Sequence, residues 1–261
     1  VSPSRLVAIS TVLLLAVPAA RAQESFNLKD RSISNSKQFV VYAKDPTTRT
    51  AITRQSEDYK TEFLNLLGID DEFKFTIIIN LTAPAPTTRN PPKTSVRLYE
   101  IDQGELKIQL DVFDPKAITD PEFDRDLMGS ILLEYAYRNN PTSAGRSFET
   151  PPAWVVAGLL EKIAARADGP EAAAYATLLA GGQTPSVDAF FRTRADRLDP
   201  TSRIIFAAQS LAMLDTLRAL PDGRPGLHAY LAVPRRSPPS ANEIIKLFPS
   251  LQGNREALSR K

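Results

Sequence analysis

Few side chains in this sequence are equipped for chemistry, and one of them stands out by its setting. Glu134 lies inside the apolar run Leu133-Glu134-Tyr135-Ala136-Tyr137, a lone carboxylate where a solvated helix face would carry several. A carboxyl in such surroundings can act as a general base, or it can pair with Arg138, four residues on in the favourable order, on an exposed face. The other reactive types are scarce. The single histidine, His228, lies in Arg224-Pro225-Gly226-Leu227-His228, far along the chain from Glu134, and there is no cysteine. Thiol nucleophiles, thiolate zinc sites and disulfides are therefore excluded. Catalytic zinc draws about three ligands from His, Cys and carboxylate, and this chain offers too few. No G-x-S-x-G elbow and no glycine-rich phosphate loop is present, although a Ser-Lys pair stays open. Two acidic clusters, Asp120/Glu122/Asp124/Asp126 and Asp70-Asp71-Glu72, could contact calcium. The first lacks the glycine of an EF-hand loop and suits a helix start; the second reads as a solvated turn.

Two helices must position Glu134. Asp120–Arg138 opens with Asp120 placed to cap, Pro121 at the first helical position and acids near the positive end of the dipole. Thr150–Glu161 repeats the device, with Thr150 as cap, Pro151 first, and Trp154 opening an apolar run. Leu133-Glu134-Tyr135-Ala136-Tyr137 has the spacing of H-E-x-x-H, with Leu133 and Tyr137 where the histidines would stand. Trp154-Val155-Val156-Ala157-Gly158 has the spacing of W-x-x-E-G, with Ala157 where a Glu would stand.

In these two runs the sequence resembles the gluzincin, or MA-type, metallopeptidases, as a degenerate member. The resemblance implies that Leu133, Tyr137 and Ala157 occupy the three zinc-ligand positions and converge between the helices, with Glu134 at the general-base position beside them. All three ligands are gone, so it implies a vestigial site with no catalytic residue, no metal and no cofactor. Large apolar groups on one helix and a small one on the other would fill the space of the metal. The function it implies is that of a catalytically inactive peptidase-like protein, binding a peptide or protein in the former substrate cleft or serving as a scaffold. A metal-independent hydrolase using Glu134 with a second carboxylate is an alternative. An exported structural or interaction protein unrelated to peptidases is another.

The rest of the chain reads as α+β. Gln38–Ala43, a helix over Thr50–Leu67 ended by Gly68, and the β-branched run Phe73–Leu81 suggest strand, crossover helix and parallel strand. After a Thr- and Pro-rich loop at 82–94, Ser95–Ile101 and Glu105–Val112 alternate as a hairpin through Asp102-Gln103-Gly104. In the gluzincins an edge strand before the motif helix lines the cleft, and Glu105–Val112 is expected in that place. Helices follow at Ala153–Ala167, Pro170–Leu179, Ser186–Arg192, Thr201–Leu220 and Ala241–Leu247, with turns at Ala180–Gly182 and Pro221–Gly226. The expected domain is thus 38–261, a small mixed-sheet lobe (38–115) followed by an all-helical lobe (116–261), zincin-like in layout.

Residues 1–22 read as a Sec-type signal peptide. Arg5 precedes the apolar Leu6–Val17, and Ala20-Arg21-Ala22 gives a small-x-small cleavage site. A flexible leader, 23–37, is expected next. Export to the periplasm or outside the cell follows, with no membrane span left after cleavage. The 32 basic and 30 acidic residues nearly balance, so no electrostatic footprint for nucleic acid is present. Mass spectrometry of the exported form is expected to find a chain starting at Gln23; an intact Val1 on that form would contradict the expectation.

Overall fold

The sheet is assembled around one helix whose two ends are set locally. The Asp45 carboxylate accepts from the Thr48 N–H (2.7 Å) and hydroxyl (2.6 Å), and Pro46 opens α1 (Pro46–Leu67). Gly68 closes it in the left-handed region (φ 64°), donating its N–H to the Leu64 carbonyl (2.8 Å). The helix starts four residues before the expected Thr50 because Asp45-Pro46 is itself a complete start signal. A computed structural model describes residues 28–81, 87, 91–101, 105–139, 148–168, 186–235 and 237–252. The expected signal peptide, most of the 82–94 loop, the 102–104 turn, the 170–179 helix and the Ala180–Gly182 turn lie outside the described residues.

The fold is α+β. Strands β1 (Arg31–Ile33), β2 (Phe39–Tyr42), β3 (Ile77–Asn80), β4 (Thr94–Ile101) and β5 (Glu105–Val112) form one sheet in the order β1-β2-β3-β5-β4. β2, β3 and β5 run parallel, while β1 and β4 are antiparallel to their neighbours. The crossover β2–α1–β3 and the β4–β5 hairpin are as the sequence suggests. In register, Phe39 faces Ile77 and Ile77 faces Ile108; Val41 faces Ile79 and Ile79 faces Leu110. All six are fully buried, because α1 and α2 (Pro121–Tyr137) cover this side of the sheet.

Three expectations about the sheet are corrected. Arg31–Ile33, in the stretch expected to be a loose leader, forms the outer strand β1. Glu105–Val112 is not an edge: β5 lies between β3 and β4, and the edge before α2 is β4. The strand expected over Phe73–Leu81 is only Ile77–Asn80, since the N–H groups of Lys74 and Phe75 are drawn to Glu134 instead of a ladder.

The helical half follows with α3 (Ala153–Asp168), α4 (Val187–Phe191), α5 (Pro200–Ala219), α6 (Gly223–Leu231) and α7 (Ala241–Leu247). Two expected caps differ. Asp120 makes no side-chain cap bond and instead accepts from Lys93 Nζ (2.5 Å). The second helix begins at Ala153, not Pro151, with the Pro152 carbonyl accepting from Val155 and Val156 (3.0 and 3.2 Å). Of the turn expected at Pro221–Gly226, Pro221 and Asp222 do turn, while Gly223–Gly226 form the start of α6. Trp154 anchors this half: its ring packs on Phe190, Phe191 and Tyr230, and its Nε1–H donates to the Tyr230 hydroxyl (3.2 Å).

Gly158 has a packing reason. A Cβ there would lie 2.8 Å from the Ser210 carbonyl oxygen on α5, so α3 and α5 approach closely only because the position has no side chain. Gly158→Ala is therefore expected to destabilise the protein by about 1–3 kcal/mol, read as a lowered denaturant midpoint. An unchanged midpoint would show that the contact relaxes without strain.

Candidate functional site

Glu134 sits on the last turns of α2, fully buried. Its Oε1 accepts from the backbone N–H groups of Lys74 (2.7 Å) and Phe75 (3.2 Å). Its Oε2 accepts from Arg138 Nε (3.1 Å), with Arg138 Nη2 2.9 Å away. The Arg138 guanidinium is sandwiched between the rings of Phe73 (4.5 Å) and Tyr135 (4.6 Å). The i, i+4 partner read from the sequence is correct, but the pair is buried rather than solvent-facing. Burial pushes the Glu134 carboxyl above its usual range, against the downward pull of Arg138 and the two N–H groups. Beside it, burial pushes the Tyr135 hydroxyl up to about 12. With both oxygens held by donors inside the core, this carboxylate is arranged as a clamp, not as a base facing a substrate.

The open space lies on the other side of the same helix. A groove of about 660 Å³ is walled by Gly129, Leu132, Leu133 and Ala136 of α2 and by Val96 of β4. The approach and first turn of α3 (150–154), the segment 191–196 and the segment 230–235 complete its sides. Spacings of three and four residues put Gly129, Leu132, Leu133 and Ala136 on one stripe. Glu134 is two residues from both Leu132 and Ala136, which turns it to the opposite side of α2.

Of the four residues expected to form a vestigial site, Leu133 alone is on the groove wall. Glu134, Tyr137 and Ala157 do not line it. Tyr137 is buried, and its hydroxyl accepts from the Glu149 N–H (2.9 Å), fastening the chain that returns toward α3. Ala157 is half-buried in α3 against the core. His228 is exposed on α6 with its ring edge-on to Tyr135, 5.7 Å away.

The acidic clusters are dispersed among separate partners. Asp120 takes Lys93, Asp124 takes Gln55 (2.6 Å), and Asp126 takes Thr94 (2.6 Å). Asp71 takes Lys60 (2.6 Å) and Gln38 (3.2 Å). Among the described residues no three of His, Cys, Asp and Glu are grouped so that they could hold a metal ion.

The sequence suggested a cleft bordered by Glu105–Val112, but not that Val96 of β4 would border the groove, nor its charged rim: Arg125, Arg192, Arg194 and Arg235. Gly129 carried the one available signal, as a glycine inside an otherwise strongly apolar helix. A Cβ at Gly129 would meet nothing within 4 Å, because it faces the open groove. The arginines are spread from position 125 to 235, with no local pattern to unite them. No protein-family model matches the chain, and no curated protein or solved structure is similar to it at a significant level.

The clamp can be tested by a double-mutant cycle. Glu134→Gln keeps an acceptor for the two N–H groups but strands Arg138 in the core, and should destabilise by about 3–5 kcal/mol. Adding Arg138→Met removes the stranded charge, so the double variant should lose less than the two single losses combined. Urea unfolding measures all four proteins; additive losses would mean that the pair is not coupled.

Proposed function

We propose that this chain is an exported, non-catalytic peptidase-like protein that binds an extended peptide or protein segment in the groove between α2 and α3. The observation that carries the reading is the groove itself, bounded by the α2 stripe, the start of α3 and the edge strand β4. An edge strand beside a cleft suits an extended chain, whose backbone can pair with strand groups while its side chains enter the groove. The gluzincin resemblance supports the same reading through the order of elements: sheet, hairpin, motif helix, second helix. It draws no weight from Glu134, whose presence is accounted for by Arg138 and the Lys74 and Phe75 N–H groups. For the same reason a hydrolase centred on Glu134 is not favoured. Export rests on the Arg5, Leu6–Val17 and Ala20–Ala22 pattern alone.

Gly129 offers a direct test. Gly129→Trp would place an indole in the groove from a position where the first added carbon meets no neighbour. Panning a random peptide library is expected to give binders to the native chain that fail on Gly129→Trp, with circular dichroism and melting showing that the variant stays folded. Binders that hold equally well to both proteins, or no binders at all, would remove the groove as the site.

A further inference from the structure

The charged groups around the groove are unequally engaged. Its three acids are taken: Asp126 accepts from the Thr94 hydroxyl (2.6 Å) and from Arg125 Nε (3.2 Å), Asp196 accepts from Arg194 at 3.1 and 3.4 Å, and the half-buried Glu149 is engaged as well. Arg125 and Arg194 are thereby neutralised. Two cations remain. Arg192 is exposed, and among the described residues its side chain has neither a carboxylate nor a hydrogen-bond partner. Arg235 is held in place without an ion pair: its Nε donates to the Tyr230 carbonyl (3.4 Å), and its guanidinium lies 5.0 Å over the Tyr230 ring. Glu243, the acid whose charge it feels, is committed to a capping box with the Ser240 N–H (2.7 Å) and hydroxyl (3.1 Å).

The field of α3 adds to these cations. Ala153 and Trp154, its first two residues, line the groove, so the positive end of a 16-residue helix faces the same space. No acid stands in its first turn to offset that end.

We propose that the occupant of the groove is an acidic peptide segment, with carboxylates meeting Arg192 and Arg235 beside the start of α3. This rests on the reading of the groove as a peptide site and specifies its partner by charge. A basic segment would face two guanidinium groups without an ion pair and a helix N-terminus, while the wall's Asp126, Glu149 and Asp196 already have partners. A neutral segment would leave both cations unmatched. Planar guanidinium groups also suit carboxylates, which they can meet through two parallel N–H bonds.

The test uses the full chain and three fluorescein-labelled octapeptides: alternating Ala–Asp, Ala–Asn and Ala–Lys. Fluorescence anisotropy is expected to show the Ala–Asp peptide binding about tenfold more tightly than Ala–Asn, with the advantage shrinking at high salt. In Arg192→Gln/Arg235→Gln that advantage over Ala–Asn should disappear, with circular dichroism and melting showing that the variant stays folded after losing the contact of Arg235 with the Tyr230 ring. Ala–Asn or Ala–Lys binding as tightly as Ala–Asp would overturn the inference, as would an Ala–Asp affinity that the double variant leaves intact. A single-stranded oligonucleotide that competes as well as the acidic peptide would overturn it too. Should Gly129-dependent library binders prove neutral or basic, the peptide site stands and its acidic preference alone falls. If no peptide binds in either assay, both fall together.

Discussion

The buried pair of Glu134 and Arg138 is the constraint on which the arrangement of the two halves depends. A carboxylate at zero exposure is tolerated only when its lone pairs are met. Here the donors come from two places: the last turn of α2 and the segment that leads into β3. The pair therefore ties the helical half to the sheet at one point. It also decides where β3 begins, because N–H groups given to Glu134 are not available to a ladder. Arg138 is in turn fixed by Phe73 and Tyr135, so the charge that satisfies Glu134 cannot swing away into solvent.

Other buried charges fasten the sheet in the same way. Lys60 on α1, nearly inaccessible, reaches Asp71 (2.6 Å) and Glu57 (3.3 Å), locking the helix to the loop that follows it. On the sheet face away from α1 and α2, buried Asp111 pairs with Arg97 and accepts from Asn80 (3.3 Å) and Gln109 (2.8 Å). That cluster joins β3, β5 and β4, and so pins the hairpin whose outer strand borders the groove. Each of these pairs adds little net stability by itself, since desolvation offsets attraction, but each is costly to leave half-made. Their effect is to make one register and one helix placement far better than its neighbours.

The groove is a consequence of this placement. With Glu134 turned into the core, the stripe through Gly129, Leu132, Leu133 and Ala136 must face the other way, toward the helices that follow. Trp154, Tyr230, Phe190 and Phe191 build a rigid aromatic floor beneath that side, and Gly158 lets α3 seat closely on α5. A helix that is apolar nearly all round can serve both purposes, one face sealing the sheet and another walling a cleft.

Much of the fold was legible in the sequence because its signals are local. The crossover β2–α1–β3, the β4–β5 hairpin and the helices at 121–137, 153–168, 200–219 and 241–247 follow from periodicity, turn residues and capping groups that act within a few residues. The ion-pair partner of Glu134 was legible for the same reason, four residues away on one helix. What the sequence could not decide was burial and direction. Whether Glu134 faced solvent, a cleft or the core depended on the Lys74 and Phe75 N–H groups some sixty residues earlier in the chain. The interior position of β5 depended on which strand β3 chose to pair with, and the groove on arginines and aromatics drawn together from α2, α3, α4, α6 and the segments that follow α4 and α6. Periodicity assigns a residue to a face of its own element; only the packing of distant elements decides what that face meets.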